Sequence, residues 1–257
     1  MHLLVSVRSA AEAAAALAGG ADIVDAKEPH AGALGAVSLD VLRGIHRVVA
    51  TRRPLSAAIG DATDEAAIER TAREVAAAGA LFVKVGFSGT AGATRMAALA
   101  AAAHRGVVAG SAGRSVLVAV GYADADETVS LVPSALVDLA ARAGARGVLL
   151  DTANKNGPGL RALIDPDVLA AWVAHAHASG LRVALAGKLT ADDLPFVRDT
   201  GADIAGVRAA ACEGGRTGRV TPERVAALAR RNRDVVPFDA SWPSTAPIAT
   251  RRFDQRR

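Results

Sequence analysis

Short apolar runs alternate along this chain with longer amphipathic stretches, and the two recur in succession from end to end. LLVSV (3–7), ADIVDAK (21–27), PLSAAIG (54–60), ALFVKVG (80–86), SVLVAVG (115–121), RGVLLD (146–151), LRVALAG (181–187) and ADIAGVR (202–208) predict strands. They are rich in Val, Ile, Leu and Ala on both faces, as parallel strands buried on both sides must be. Helical periodicity predicts helices over 9–17, 38–48, 64–78, 91–104, 130–143, 165–179, 190–199 and 221–231. Ser9 and Glu12 stand at capping-box spacing at the first of these. Several helices close on one small motif, AGGAD (18–22), AAGAL (77–81), RAGAR (142–146), ASGLR (178–182) and DTGAD (199–203), with glycine where a left-handed cap is needed. Eight such units predict one α/β domain, a (β/α)8 TIM barrel over 1–235, followed by a Pro/Arg-rich tail over 236–257. A doubly wound sheet is the weaker alternative, because SVRSAAEA follows the first strand where a dinucleotide-binding chain carries its glycine fingerprint.

Composition narrows the class. Hydrophobic residues make up 51% and charged residues 22% of 257 residues, which suits a folded enzyme of barrel length. No apolar run reaches the roughly 18 residues of a membrane span. The first residues carry no basic leader, and the single cysteine, Cys212, suits a reducing compartment, so a cytoplasmic location is expected. The net charge is +4. From Arg230 onward the chain holds seven arginines and three aspartates, so the tail carries that whole excess and the body is neutral. With aromatics at 3%, no nucleic-acid partner is expected, and no membrane partner either; a homo-oligomer is compatible with the sequence.

Lysine is rationed. Against 26 arginines there are four lysines, Lys27, Lys84, Lys155 and Lys188, each where a predicted strand ends. Arginine stays protonated, whereas a lysine amine can act as a base or form an imine. Residues two apart on a strand share a face, so Asp25 and Lys27 point together into the barrel mouth, with Ile23 below them. Phe82, Lys84 and Gly86 share another face; Leu149 and Asp151 share a third, with Lys155 in the loop beyond. Crowded amines lower one another's pKa while the aspartates keep the cluster tolerable. Phosphate is the expected handle of the ligand in such a mouth. The last two loops, ALAGKL (184–189) and GVRAAACEGGRTGR (206–219), fall at the usual phosphate place of a barrel. Gly187, Lys188, Gly206, Gly214 and Gly215 are the expected backbone and amine contacts, and Arg208 the expected guanidinium fork. Cys212 is expected to be a packed small residue. His175 and His177 lie two apart on a helix and face apart; His46 and His104 sit on helix surfaces, and His30 alone falls near the mouth. No metal site and no organic cofactor is expected.

The segments GGADIVDAKEPHAGALGA, SAAIGD, FVKVGFSG, VAVGYADA, LLDTANKNG, VALAGKL and GADIAGVRAAACEGG together resemble the (5-formylfuran-3-yl)methyl phosphate synthases over roughly residues 1–231. The resemblance implies a lyase of methanofuran-type cofactor biosynthesis that joins two glyceraldehyde 3-phosphates with loss of phosphate and water. It implies Lys27 as the Schiff-base lysine and Lys84 as proton acceptor, with Asp25, Asp151 and Lys155 in support. A Schiff-base aldolase or isomerase of another sugar phosphate would use the same cluster, and a non-catalytic phosphate-metabolite-binding protein is the alternative of another class.

Overall fold

The computed structural model describes residues 1–90, 92–124 and 133–232. The predicted tail 236–257 and the start of the predicted helix 130–143 lie outside them. Strands β1 (His2–Val7), β2 (Ile23–Ala26), β3 (Leu55–Asp61), β4 (Phe82–Gly86), β5 (Val116–Tyr122), β6 (Gly147–Asp151), β7 (Arg182–Leu185) and β8 (Ile204–Val207) close into a parallel barrel. The ring shuts where Leu4 of β1 pairs with Gly206 of β8. Helices α1 (Ala10–Ala18), α2 (Leu39–Val49), α3 (Glu65–Ala77), α4 (Ala93–Ser111), α5 (Pro133–Arg142), α6 (Leu160–Leu163), α7 (Pro166–Ala178), α8 (Leu194–Asp199) and α9 (Pro222–Arg231) alternate with them. A two-stranded hairpin, β9 (Cys212–Glu213) with β10 (Arg219–Val220), rises from the loop after β8.

Alternation along each strand builds two apolar layers. Leu3, Val5, Val24, Ala26, Val83, Val85, Val148 and Leu150 face outward and pack under the helices. Leu4, Ile23, Ala58, Phe82, Val118, Leu149 and Ile204 fill the barrel's interior. Each fully buried branched side chain contributes about 1.5–3 kcal/mol, so both layers favour one register. Toward the C-terminal strand ends the interior turns polar, with Ser6, Asp25, Lys84 and Asp151 all buried.

Three local outcomes depart from the sequence pattern. Helix α4 runs on to Ser111 rather than stopping at 104, through two glycines. A Cβ on Gly106 would lie 2.1 Å from the Glu69 carbonyl, and one on Gly110 2.2 Å from that of Arg73. These glycines therefore let α3 and α4 approach closely instead of breaking the helix. The first-helix cap is half a capping box: the Ser9 hydroxyl accepts from the Glu12 amide, but the Glu12 carboxylate turns to the Arg8 amide and to Arg208. Helix α6 is a short addition to the predicted helices; the Leu160 amide donates to the Gly187 carbonyl at 3.0 Å, tying the β6 loop to the β7 loop.

Candidate active site

Two carboxylates organise the barrel mouth. Asp25, on the inward face of β2, is fully buried and sits 2.6 Å from the Lys84 ammonium of β4. Its other oxygen accepts from Ser6 of β1 at 2.8 Å, and Ser6 is Asp25's register partner. Asp151, the last residue of β6, accepts from Lys155 at 2.7 Å, from the Thr152 amide at 2.8 Å, and from Lys27 at 3.4 Å. Lys27 follows β2 directly, and its amide still donates to the Val7 carbonyl, which fixes where its side chain emerges. Lys155 reaches back because its loop is pinned: the Asp124 carboxylate accepts from the Ala153 and Asn154 amides, and the Asn154 side chain accepts from those of Asn156 and Gly157.

Burial and charge set different tasks for these groups. Burial lowers the Lys84 amine from its ordinary value and the nearby Lys27 charge adds to this, while Asp25 opposes it. Burial likewise lowers Lys155 against the pull of Asp151. Burial alone would raise Asp151, but Lys27 and Lys155 outweigh it and hold the carboxyl below its usual range. The site thus combines a persistent carboxylate with amines eased toward neutrality. Lys27 has 12% of its side chain accessible against 5% for Lys84, so Lys27 meets an incoming molecule more readily.

One cavity joins these residues to the loops after β7 and β8. Lys27, Lys84, Lys155, Asp25 and Asp151 line it together with Gly187, Lys188, Gly206 and Arg208, and with Ser6 and Arg216, which sequence reasoning did not single out. Gly187 and Lys188 both take left-handed backbone, with φ of 104° and 58°, and the Lys188 amine folds onto the Gly157 carbonyl.

The rest of the expected phosphate set lies elsewhere. Gly214 and Gly215 take φ of 78° and 75° where the β9–β10 hairpin turns, outside the cavity lining. Arg208 is not a free fork. It pairs with Glu12 at 2.5 and 3.2 Å, and it also donates to the Ser6, Arg216 and Gly218 carbonyls. Those five bonds engage all five of its donors. His30 is exposed beside Arg8 and does not line the cavity. Cys212 is buried and packed in the core. His46 and His104, expected on helix surfaces, are half-buried against Gly79 and Gly144, the glycines that close the following helices. Among the described residues no group of three or more His, Cys, Asp or Glu could hold a metal ion, and no helix is long and apolar enough to cross a membrane.

Parallel strands, a ring of alternating helices and amines gathered at the C-terminal strand ends define the class: a (β/α)8 barrel with its reactive groups where enzymes of this fold carry them. The family model for 4-HFC-P synthase matches residues 3–229, and the chain belongs to that family. It is 41% identical over 219 residues to the (5-formylfuran-3-yl)methyl phosphate synthase of Methanopyrus kandleri, covering 85% of this chain and 92% of that one. It is 37% identical over 231 residues to the enzyme of the same name from Methanocaldococcus jannaschii, covering 89% and 98%. In fold it is similar to phosphoribosyl anthranilate isomerase of Thermus thermophilus, with a TM-score of 0.61 at 14% identity over 91% of this chain and 99% of that one.

Proposed function

We propose that this chain condenses two molecules of glyceraldehyde 3-phosphate into (5-formylfuran-3-yl)methyl phosphate, as a carbon–oxygen lyase supplying a furan for methanofuran-type cofactors. Family membership supports the product, and the observation that carries the chemistry is the arrangement of Lys27 and Lys84 on separate carboxylates in one cavity. Lys27, more accessible than Lys84, forms an imine with a triose aldehyde and releases water. The iminium acidifies the neighbouring C–H and acts as electron sink. Lys84, its pKa lowered by burial, takes that proton, and the Asp25 carboxylate beside it offsets the positive charge that Lys84 acquires. The bond to the phosphate β to the iminium breaks, with the electron pair leaving on phosphate. One carbon–carbon bond then forms to the second triose, Asp151 and Lys155 exchange protons as the ring closes with loss of two waters, and hydrolysis of the imine returns one water, freeing the formyl group and Lys27. By atom balance, two trioses give one furan, one phosphate and two waters. The Gly187 and Gly206 backbone with Lys188 receives a substrate phosphate.

Incubating the pure protein with glyceraldehyde 3-phosphate tests the proposal directly. Release of phosphate in step with a near-ultraviolet furan chromophore is expected. Condensation without the chromophore would indicate an aldolase, interconversion of trioses without phosphate release an isomerase, and no turnover a binding protein.

A further inference from the structure

Six cations line the cavity, Lys27, Lys84, Lys155, Lys188, Arg208 and Arg216. Four have a carboxylate: Lys27 and Lys155 share Asp151, Lys84 has Asp25, and Arg208 has Glu12. Lys188 and Arg216 have none within 4 Å among the described residues, and each rests on main-chain carbonyls alone. Lys188 donates to Gly157 after β6, and Arg216 donates to Pro29 and Gly32 after β2. The two therefore mark different sides of one mouth.

The surroundings of Arg216 are built to hold it there. The β9–β10 hairpin that carries it turns on Gly214 and Gly215 and closes so tightly that a Cβ on Gly218 would lie 1.8 Å from the Glu213 carbonyl. The buried Glu12–Arg208 pair clamps the same hairpin, because Arg208 donates to the carbonyls of residues 216 and 218. Arg216 uses two of its five donors on Pro29 and Gly32, and the guanidinium is close enough to Asp151 and Lys155 to act on their charge. A fixed, partly desolvated guanidinium with spare donors, facing a cavity, is suited to a phosphate dianion.

We propose that Arg216 forms a second phosphate subsite on the β2 side of the mouth, separate from the Gly187–Lys188–Gly206 subsite, so that each of two triose phosphates has its own cation. The inference rests on the proposed condensation for the identity of the ligands, and on the two cations without a carboxylate for their number. A reaction that joins two phosphorylated trioses must seat two dianions near each other, and separate cations offset the repulsion between them.

Calorimetric titration of the full chain with inorganic phosphate at low salt reads the number of subsites. Two phosphates per chain are expected for the wild type, one for Arg216→Ala and one for Lys188→Ala. Reductive capture of dihydroxyacetone, which carries no phosphate, should label Arg216→Ala as fully as wild type, showing that the amine cluster is intact. If Arg216→Ala fails to fold, Arg216→Lys carries the test, with the second affinity at least tenfold weaker because an ammonium lacks the planar fork. A single phosphate on the wild type would overturn the proposal, as would two undiminished sites in whichever variant folds. A wild type that binds two phosphates through Arg216 but makes no furan refutes the condensation and leaves the subsite standing. Furan formation with unchanged phosphate stoichiometry in the variants does the reverse.

Discussion

The two halves of the barrel mouth use equivalent strand ends in opposite ways. Across β3, β4 and β5 the mouth is plugged. Gly86 ends β4 without a side chain, and its space is occupied by the Asp61 carboxylate, the Tyr122 hydroxyl and Leu34. Tyr122 donates to Asp61 at 3.1 Å, and the Ser88 amide donates to the same oxygen at 3.0 Å. Across β6, β7, β8, β1 and β2 the mouth is hollow and holds Lys27, Lys155, Asp151, Lys188 and Arg216. The difference teaches how one scaffold gives similar amines different work. Lys84 lies one step below Gly86 on the same face, beneath the plug, so it is desolvated and suited to accept a proton. Lys27, on the hollow side, stays reachable.

Removing the carboxylate that couples the halves should have the largest effect. Asp25→Asn leaves Lys84 buried without its partner, and breaking such a pair costs about 3–5 kcal/mol. Turnover should fall by roughly 10²–10⁴ through loss of the general base. Thermal unfolding and furan formation report the two effects; wild-type values in both would mean that Asp25 is a bystander.

Opening the plug is a milder change. In Gly86→Ala the new methyl would lie 2.1 Å from the Asp61 Oδ1, so the Tyr122–Asp61 contact must shift. A loss of about 1–3 kcal/mol is expected, as for other overpacked sites. Lys84 should regain water and its pKa should rise toward the usual lysine value. Capture at Lys27 should persist, because that amine belongs to the hollow half.

The smallest effect is on pH. A proton acceptor works when neutral, so the rate should rise with pH through the Lys84 pKa, along a limb below the ordinary lysine range. The same depression has a stability sign. Between the folded and unfolded pKa values the unfolded amine binds the proton that the native one has lost, so this group's contribution to stability improves as pH rises. Asp151 raises the pKa of both Lys84 and Lys155. Asp151→Asn should therefore move the limb to lower pH while the maximal rate drops. A pH–rate profile whose limb stays in place would show that the two halves are not electrostatically coupled.

Most of the fold was legible because parallel strands announce themselves by β-branched and aliphatic runs, and several helix stops by their glycines. The amine cluster was legible for a related reason: alternation on β2, β4 and β6 places Asp25, Lys84 and Asp151 inward beside Ile23, Phe82 and Leu149. Ser6 could have been found the same way, as the polar residue on the inward face of LLVSV. The phosphate loop misled because glycine spacing does not distinguish a hairpin turn from an anion cradle. Arg208 and Arg216 look alike in sequence, eight residues apart in one loop. What separates them is Glu12, almost two hundred residues earlier in the chain, which claims one guanidinium and leaves the other facing the cavity.

The central claim is that, among the amines of the hollow half, Lys27 rather than Lys155 or Lys188 forms the covalent intermediate. Borohydride reduction during turnover with glyceraldehyde 3-phosphate, followed by peptide mass spectrometry, tests it most directly. The adduct should sit on Lys27, and Lys27→Arg, which keeps the charge but cannot form an imine, should yield neither adduct nor furan. An adduct on Lys84 or Lys155 with Lys27 unmodified would contradict the assignment.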